Sequence, residues 1–256
     1  MNFPEGNHNN KGFFEYKESV EKERPLLTAE PRLITIDGVD GLGKSTIAKK
    51  LANKLCERFG EEKIILASAT KLIGSPKQDK LGVWAKRENI SHSRLETIYI
   101  AGVNRAYEEV IIPALKDGKI VVVDRSEVDL LRYALWRNDE DSFKKRLKYI
   151  KDGTVTHHFL AGNRIFLESN ANDVIKNLTN REHKSSSDPQ SLEEVEANIN
   201  AQKEAEKQME LLPYQGKVNV TREEIMRVEN ESLREIYLNE VVEKLFNSLD
   251  LSDADR

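Results

Sequence analysis

From residue 31 onward, short apolar runs alternate with longer stretches whose apolar positions repeat at a helical period. Leu33 to Ile36 reads as a strand. Ser45 to Phe59 reads as a helix, because Ile47, Leu51, Leu55 and Phe59 recur at every fourth position and Gly60 stands just past the end. Ile64 to Ala67 is a second strand. Ser93 to Leu115 is helical with a bend at Pro113, and Ile120 to Val123 is a strand of the fully buried type. Val128 to Arg137 is a helix, Ile165 to Leu167 a fourth strand and Asn172 to Asn180 a short helix. Ser191 with Glu194 forms a capping box for a helix reaching Leu211. Lys217 to Val220 is a fifth strand. Thr221 with Glu224 reads as another capping box, opening a helix that runs with a break to Leu249. Strands alternating with helices predict a parallel sheet covered by helices on both faces.

Residues 1–30 do not share this pattern. Asn, Glu and Lys dominate there, with Phe13, Phe14 and Tyr16 scattered among them, and the segment reads as a flexible extension. The 256-residue chain then divides into that extension and one domain over 31–256. No apolar run approaches the roughly 18 residues of a membrane helix. Met1 to Asn10 is polar, unlike a secretory leader. Cys56 is the single cysteine, so no internal disulfide forms and the cytosol is the expected compartment. A net charge of -4 argues against a nucleic-acid coat, while a small phosphorylated ligand needs only a few local cations.

Those cations have an obvious place. Gly38-Val39-Asp40-Gly41-Leu42-Gly43-Lys44-Ser45 fits G-x-x-x-x-G-K-[ST], between a strand and a helix. Glycines let the backbone curl so that successive N–H groups point inward, and the helix N-terminus adds its dipole; together they hold phosphate oxygens. Lys44 adds positive charge at the β- and γ-phosphates, and Ser45 offers a hydroxyl to Mg2+. The ATP-binding set is therefore Gly38, Asp40, Gly41, Leu42, Gly43, Lys44, Ser45 and Thr46. No Asn-Lys-x-Asp follows a strand, as a guanine reader requires. The strand Ile120 to Val123 ends in Asp124-Arg125-Ser126 rather than the Asp-Glu of motor and transporter ATPases. Asp124 can reach the metal or its waters, and Arg125 a phosphate.

The stretch Ile34 to Thr46 resembles the opening of the thymidylate kinase family of nucleoside monophosphate kinases. So does the segment Asn104-Arg105-Ala106-Tyr107-Glu108-Glu109-Val110-Ile111-Ile112-Pro113-Ala114-Leu115-Lys116-Asp117-Gly118-Lys119 leading into Ile120 to Arg125. The likeness extends in organisation over 32–249. It implies a three-layer α/β/α P-loop kinase with a five-stranded parallel sheet and a short lid around 180–191. It also implies ATP-dependent phosphorylation of thymidylate with Mg2+, which Ser45 and Asp124 would hold. Asp40 would contact the acceptor's 3′-hydroxyl, Arg105 its base, and Arg125 would bridge phosphates. Arg181, with Lys184 beside it, would sit on the lid and join Lys44, Asp124 and Arg125 as catalytic groups. Some family members carry an arginine in the phosphate loop. Here that position is Gly41, so the cation is expected from the lid.

Several positions depart from the family pattern. Ser68-Ala69-Thr70-Lys71 stands where the family has Arg-Glu-Pro-Gly-Gly, so the acceptor-phosphate cation is missing there unless Lys71 or another residue supplies it. Ala101 replaces a base-stacking phenylalanine, and Asp129 and Ala134 replace a serine and a glutamine near the base. Asp188-Pro189 replaces a later Asp-Arg pair of the lid. The Asp-Arg-Ser segment also resembles deoxynucleoside kinases, in which the acidic residue takes a proton from a sugar hydroxyl. A nucleotide-binding module that transfers nothing is the other alternative. The expected partners are small-molecule nucleotides and a second copy of the chain, with neither nucleic acid nor membrane.

Overall fold

The computed structural model describes residues 26–68, 92–180 and 189–251. The first strand, β1 (Leu27–Asp37), feeds the phosphate loop and α1 (Lys44–Phe59). Then come β2 (Ile64–Ala67), α2 (His92–Ala106), a widened π turn (Tyr107–Ile111) and α3 (Ile112–Lys116). The chain continues through β3 (Ile120–Asp124), α4 (Glu127–Trp136), α5 (Glu140–Lys151), β4 (Phe159–Glu168) and α6 (Ala171–Thr179). The final elements are α7 (Leu192–Glu210), β5 (Tyr214–Gln215), β6 (Asn219–Glu224) and α8 (Glu231–Ser248).

The sheet is parallel, in the order β2-β3-β1-β4-β6, with the two-residue β5 alongside the start of β1. Because both faces are covered, neighbouring strand residues are buried on opposite sides. Ile34 and Ile36 of β1 and Ile165 and Leu167 of β4 pack with Ile47, Leu51 and Leu55 of α1 and Val241 and Leu245 of α8. Leu33, Val121 and Val123 pack instead with Val103, Tyr107 and Ile111. Leu160 and Phe166 meet Val128 and Leu131 of α4 and Ala205 and Met209 of α7. The three-layer α/β/α expectation holds, and no helix among the described residues is long and apolar enough to cross a membrane.

The expected five-strand parallel path stands, and the two-residue β5, paired with Leu27 and Thr28, adds a sixth strand beside it. Four other expectations need correction. Residues 27–30, expected in the flexible extension, form the start of β1 and pair with β5 and β4; residues 1–25 lie outside the described part. The predicted bend at Pro113 is a π turn just before it, in which Ile112 N donates to Tyr107 O. A proline lacks the N–H a helix needs and its ring crowds the carbonyl four residues back, so the chain loosens one turn earlier. Thr221 and Glu224 lie in β6, not at a helix start. Asn230 caps α8 instead, accepting from Leu233 N at 3.1 Å. The segment between Asn138 and Arg164, for which the pattern predicts no element, holds α5 and the first part of β4. The lid segment 181–188, with Arg181 and Lys184, and the segment 69–91, with Lys71, lie outside the described residues.

Candidate active site

The phosphate loop sits where β1 ends, at the carboxyl edge of the sheet. Gly38 passes so close to β4 that a Cβ on it would lie 2.5 Å from Leu167 O, at a φ of +145°. No side chain fits there without moving the sheet. Gly41 has φ +100° and presses on α6, where a Cβ would lie 3.3 Å from Leu178 Cγ. Asn177 Nδ2 holds the same turn by donating to Gly41 O at 3.2 Å. Val39 and Leu42 turn inward and are buried with the α1 core. Among the described residues, the amides of Gly41, Gly43, Lys44 and Ser45 donate to no protein acceptor. They remain available to an anion at the start of α1.

Lys44 folds back over its own loop. Its Nζ donates to Gly38 O and Val39 O, each at 2.7 Å, and lies 4.0 Å from Asp40 Oδ1. Burial, followed by the charge of Arg125, pushes this ammonium down to about 8, while Asp40 and Asp129 pull the other way. Ser45 Oγ donates to Asp124 Oδ2 at 2.5 Å, and Asp124 Oδ1 is buried without a partner. A hydroxyl beside a carboxylate with an unused oxygen is a hard-oxygen donor pair suited to Mg2+, whose remaining ligands come from phosphate and water. Among the described residues no cluster of three or more His, Cys, Asp or Glu forms a metal cage, so the pair is the candidate. Thr46 follows Ser45 on the first turn of α1 with its side chain exposed.

Beside this donor region stands a compact cluster of opposite charges. Arg125, at a left-handed φ of +73°, bonds Asp40 Oδ1 through Nη2 and Asp129 Oδ2 through Nη1, the latter at 2.9 Å. Tyr133 donates its hydroxyl to Asp40 Oδ2 at 3.2 Å. Arg132 Nε donates to Asp129 Oδ1 at 2.9 Å. Burial raises both carboxyls, but the guanidinium and ammonium groups outweigh it. Arg125, Lys44 and Arg132 hold Asp40 well below the usual carboxylate range, and Arg132 and Arg125 lower Asp129. Asp37 behaves in the opposite way. Burial, then Asp129 and Glu127, push it up to about 7, although Ser126 donates to it from both N and Oγ at 2.8 Å.

The structure thus gathers Gly38, Asp40, Gly41, Leu42, Gly43, Lys44, Ser45, Asp124 and Arg125 at one sheet edge. Arg105 is not among them: its side chain is exposed on α2 and pairs with Glu109 at 2.6 Å. Arg181 lies outside the described residues. Arg132, Tyr133 and Asp37 were not singled out by motif. The signal for Arg132 was present in the spacing Asp129, Arg132, which puts opposite charges three residues apart on one helical face. Nothing comparable announces Asp37, whose unusual carboxyl is a product of tertiary burial.

A model of the thymidylate kinase family matches residues 36–231. A thymidylate kinase of Mycoplasma mobile is 36% identical over 95 residues, covering 36% of this chain and 45% of that protein. A probable thymidylate kinase of Thermococcus gammatolerans is 35% identical over 106 residues, covering 39% of this chain and 50% of that one. The matched segment therefore spans half or less of these relatives' length. A solved thymidylate kinase from Ehrlichia chaffeensis superposes with a TM-score of 0.58 over 83% of this chain and 97% of its own; at 16% identity this likeness is one of fold.

Proposed function

The chain belongs to the thymidylate kinase family, and on that premise we propose that it transfers the γ-phosphoryl group of ATP to a nucleoside monophosphate, thymidylate first. The observation that carries this reading is the adjacency of two phosphate-seeking groups. Lys44 in the loop and Arg125 at the end of β3 both contact Asp40. In the reaction, an oxygen of the acceptor phosphate attacks the γ-phosphorus, and the bond from that phosphorus to the β–γ bridging oxygen breaks, leaving ADP. Charge spreads over the transferred group, so the chain's contribution is positioning and preorganised cations. Free loop amides and Lys44 hold the donor. Arg125 moves from its carboxylates to the phosphates, and Asp40 accepts from the acceptor sugar. Mg2+, when bound with ATP, neutralises phosphate charge; Ser45 and Asp124 are the residues that would hold it.

Gly41 supports the expectation that the further cation comes from the lid. Its φ strains any side chain and a Cβ there would crowd Leu178, which disfavours a loop arginine, so Arg181 is assigned that role. Arg105 is assigned to the acceptor base, which requires it to leave Glu109. A nucleoside acceptor would need a carboxylate ready to take a proton. Asp124 is engaged by Ser45 on the donor side, Asp40 is held ionised by three cations, and both oxygens of Asp37 accept from Ser126. None is placed as a base, and the monophosphate reading is the better supported. Cys56 as the single cysteine is consistent with reaction in the cytosol.

Supplying ATP and Mg2+ with thymidylate or with thymidine, and following ADP release, tests the proposal. Turnover with thymidylate is the expected result. Turnover with thymidine alone would replace it with the nucleoside kinase, and silence with all monophosphates would leave the non-catalytic module.

A further inference from the structure

Arg125 and Arg132 share the same two carboxylates. Asp129 gives Oδ2 to Arg125 and Oδ1 to Arg132, each at 2.9 Å. Asp40 gives Oδ1 to Arg125, and its Oδ2 lies 3.7 Å from Arg132 Nη2. The four side chains close a ring of alternating charge. Its two guanidiniums are not equivalent. The Arg125 side chain is 23% exposed, whereas that of Arg132 is 0% exposed. Arg132 is also fixed from outside the ring: Nη1 donates to Asn198 Oδ1 on α7 at 2.6 Å, and its guanidinium lies 4.2 Å from the Tyr133 ring centroid. One donor is unused. Arg132 Nη2 is buried and makes no hydrogen bond, although it faces Asp40.

This geometry meets a difficulty in the proposed reaction, on which the inference rests. If Arg125 and Lys44 move to phosphates, Asp40 and Asp129 are left buried together. A buried carboxylate that loses its cation is strongly unfavourable. Of the three cations around the pair, Lys44 and Arg125 are the two that the proposed reaction draws to phosphate; Arg132, fully buried and tied to Asn198, is the one that stays. We propose that Arg132 is a positioning residue that keeps both carboxylates in place while Arg125 exchanges them for phosphate, its spare Nη2 closing on Asp40 Oδ2 as Arg125 departs. It touches no substrate and acts through Asp40 and Arg125. The family pattern gave no reason to expect a cation at this position, and the charged Asp129 beside it supplies one.

The test is a double-mutant cycle. Arg132→Lys keeps a charge but loses the fork that spans two carboxylates. With Arg125 present, kcat/KM for the acceptor is expected to fall about 100-fold, with KM for ATP changed less than about twofold. In an Arg125→Ala background no guanidinium has to leave the carboxylates. There Arg132→Lys is expected to lower kcat/KM less than about threefold, its effect appearing in melting temperature instead. A merely structural arginine would give the same catalytic loss in both backgrounds, and that additivity would overturn the inference. Should the doubly substituted arginine protein not fold, Arg132→Lys/Asp129→Asn replaces it. Removing one carboxylate is expected to recover at least about tenfold of the loss, and no recovery would overturn the inference. Unsubstituted protein that turns over no monophosphate removes the functional reading and this inference together; turnover with additive effects removes only the inference.

Discussion

Ser45 Oγ donates to Asp124 Oδ2 at 2.5 Å across 79 residues of sequence, tying the first turn of α1 to the last residue of β3. The second oxygen of Asp124 is buried and unpartnered. An unpartnered buried carboxylate oxygen is unfavourable unless something arrives to use it. Replacing Asp124 by Asn keeps an acceptor for Ser45 and removes the charge. The half-saturating Mg2+ concentration is then expected to rise at least about tenfold, and kcat at saturating ATP to fall about 100-fold or more. Titration of Mg2+ at fixed ATP checks both; an unchanged Mg2+ requirement would remove Asp124 from the metal site.

Lys44 separates catalysis from stability. Its folded pKa of about 8 lies below the ordinary 10.5. The unfolded chain therefore binds the proton more readily than the folded one. The resulting loss of stability is fully present below pH 8 and vanishes as pH rises past 10.5. At pH 7 the charge destabilises the empty protein. Lys44→Ala is expected to leave the melting temperature unchanged or raised, while transfer falls about 10²–10³-fold. Calorimetry beside an ADP-release assay reads both, and near-normal turnover would sink the phosphate-loop assignment.

The donor half of the site was legible because the loop's chemistry is local. Five glycine, lysine and serine positions in one octapeptide carry it, and strand and helix on either side follow from apolar period alone. The acceptor half was legible only in part. Asp129 stood out as a departure from the family, yet its meaning depends on Arg132 and Asn198, and Asn198 lies on a helix 66 residues beyond Arg132. No local pattern reports that contact. The missed helix α5 has the opposite cause. Its apolar residues Phe143, Leu147 and Ile150 pack on Leu131 and Leu160, but twelve residues with so many charges read as solvated chain. Thr221 and Glu224 misled because a capping box is a four-residue signal, and pairing with β4 from Asn219 to Glu224 overrides it.

Gly41 links the loop to α6. With φ +100° and Leu178 Cγ only 3.3 Å from a built Cβ, any side chain is both strained and crowded. Gly41→Ala is expected to destabilise the protein by about 1–3 kcal/mol and to raise KM for ATP, since the turn presents the loop amides. Denaturant unfolding measures the first effect. A Gly41→Arg substitution is expected not to restore activity to Arg181→Ala, because the loop cannot hold the new side chain in place. Restored activity would show that the turn yields more than its packing suggests.

Asp37 sets an acid-side stability dependence that runs against the usual carboxylate behaviour. Its folded pKa is about 7, raised chiefly by burial and then by Asp129 and Glu127; the unfolded value is near 3.8. Below pH 3.8 both states hold the proton and the group contributes nothing. Between 3.8 and 7 the unfolded chain has released its proton and the folded chain retains it, so stability falls as pH rises through this window. Above 7 the loss is complete, on the order of a few kcal/mol for a fully buried group. Asn at this position stays neutral throughout. Its carbonyl can still accept from Ser126 N, and its amide can donate to Ser126 Oγ. Asp37→Asn is therefore expected to melt close to the unsubstituted protein near pH 4 and several degrees above it at pH 8. Melting curves of the two proteins at intervals between those values give the comparison. A difference that stays constant across the window would mean that Asp37 is ionised in the folded protein throughout, and that Ser126 holds a carboxylate rather than a carboxylic acid.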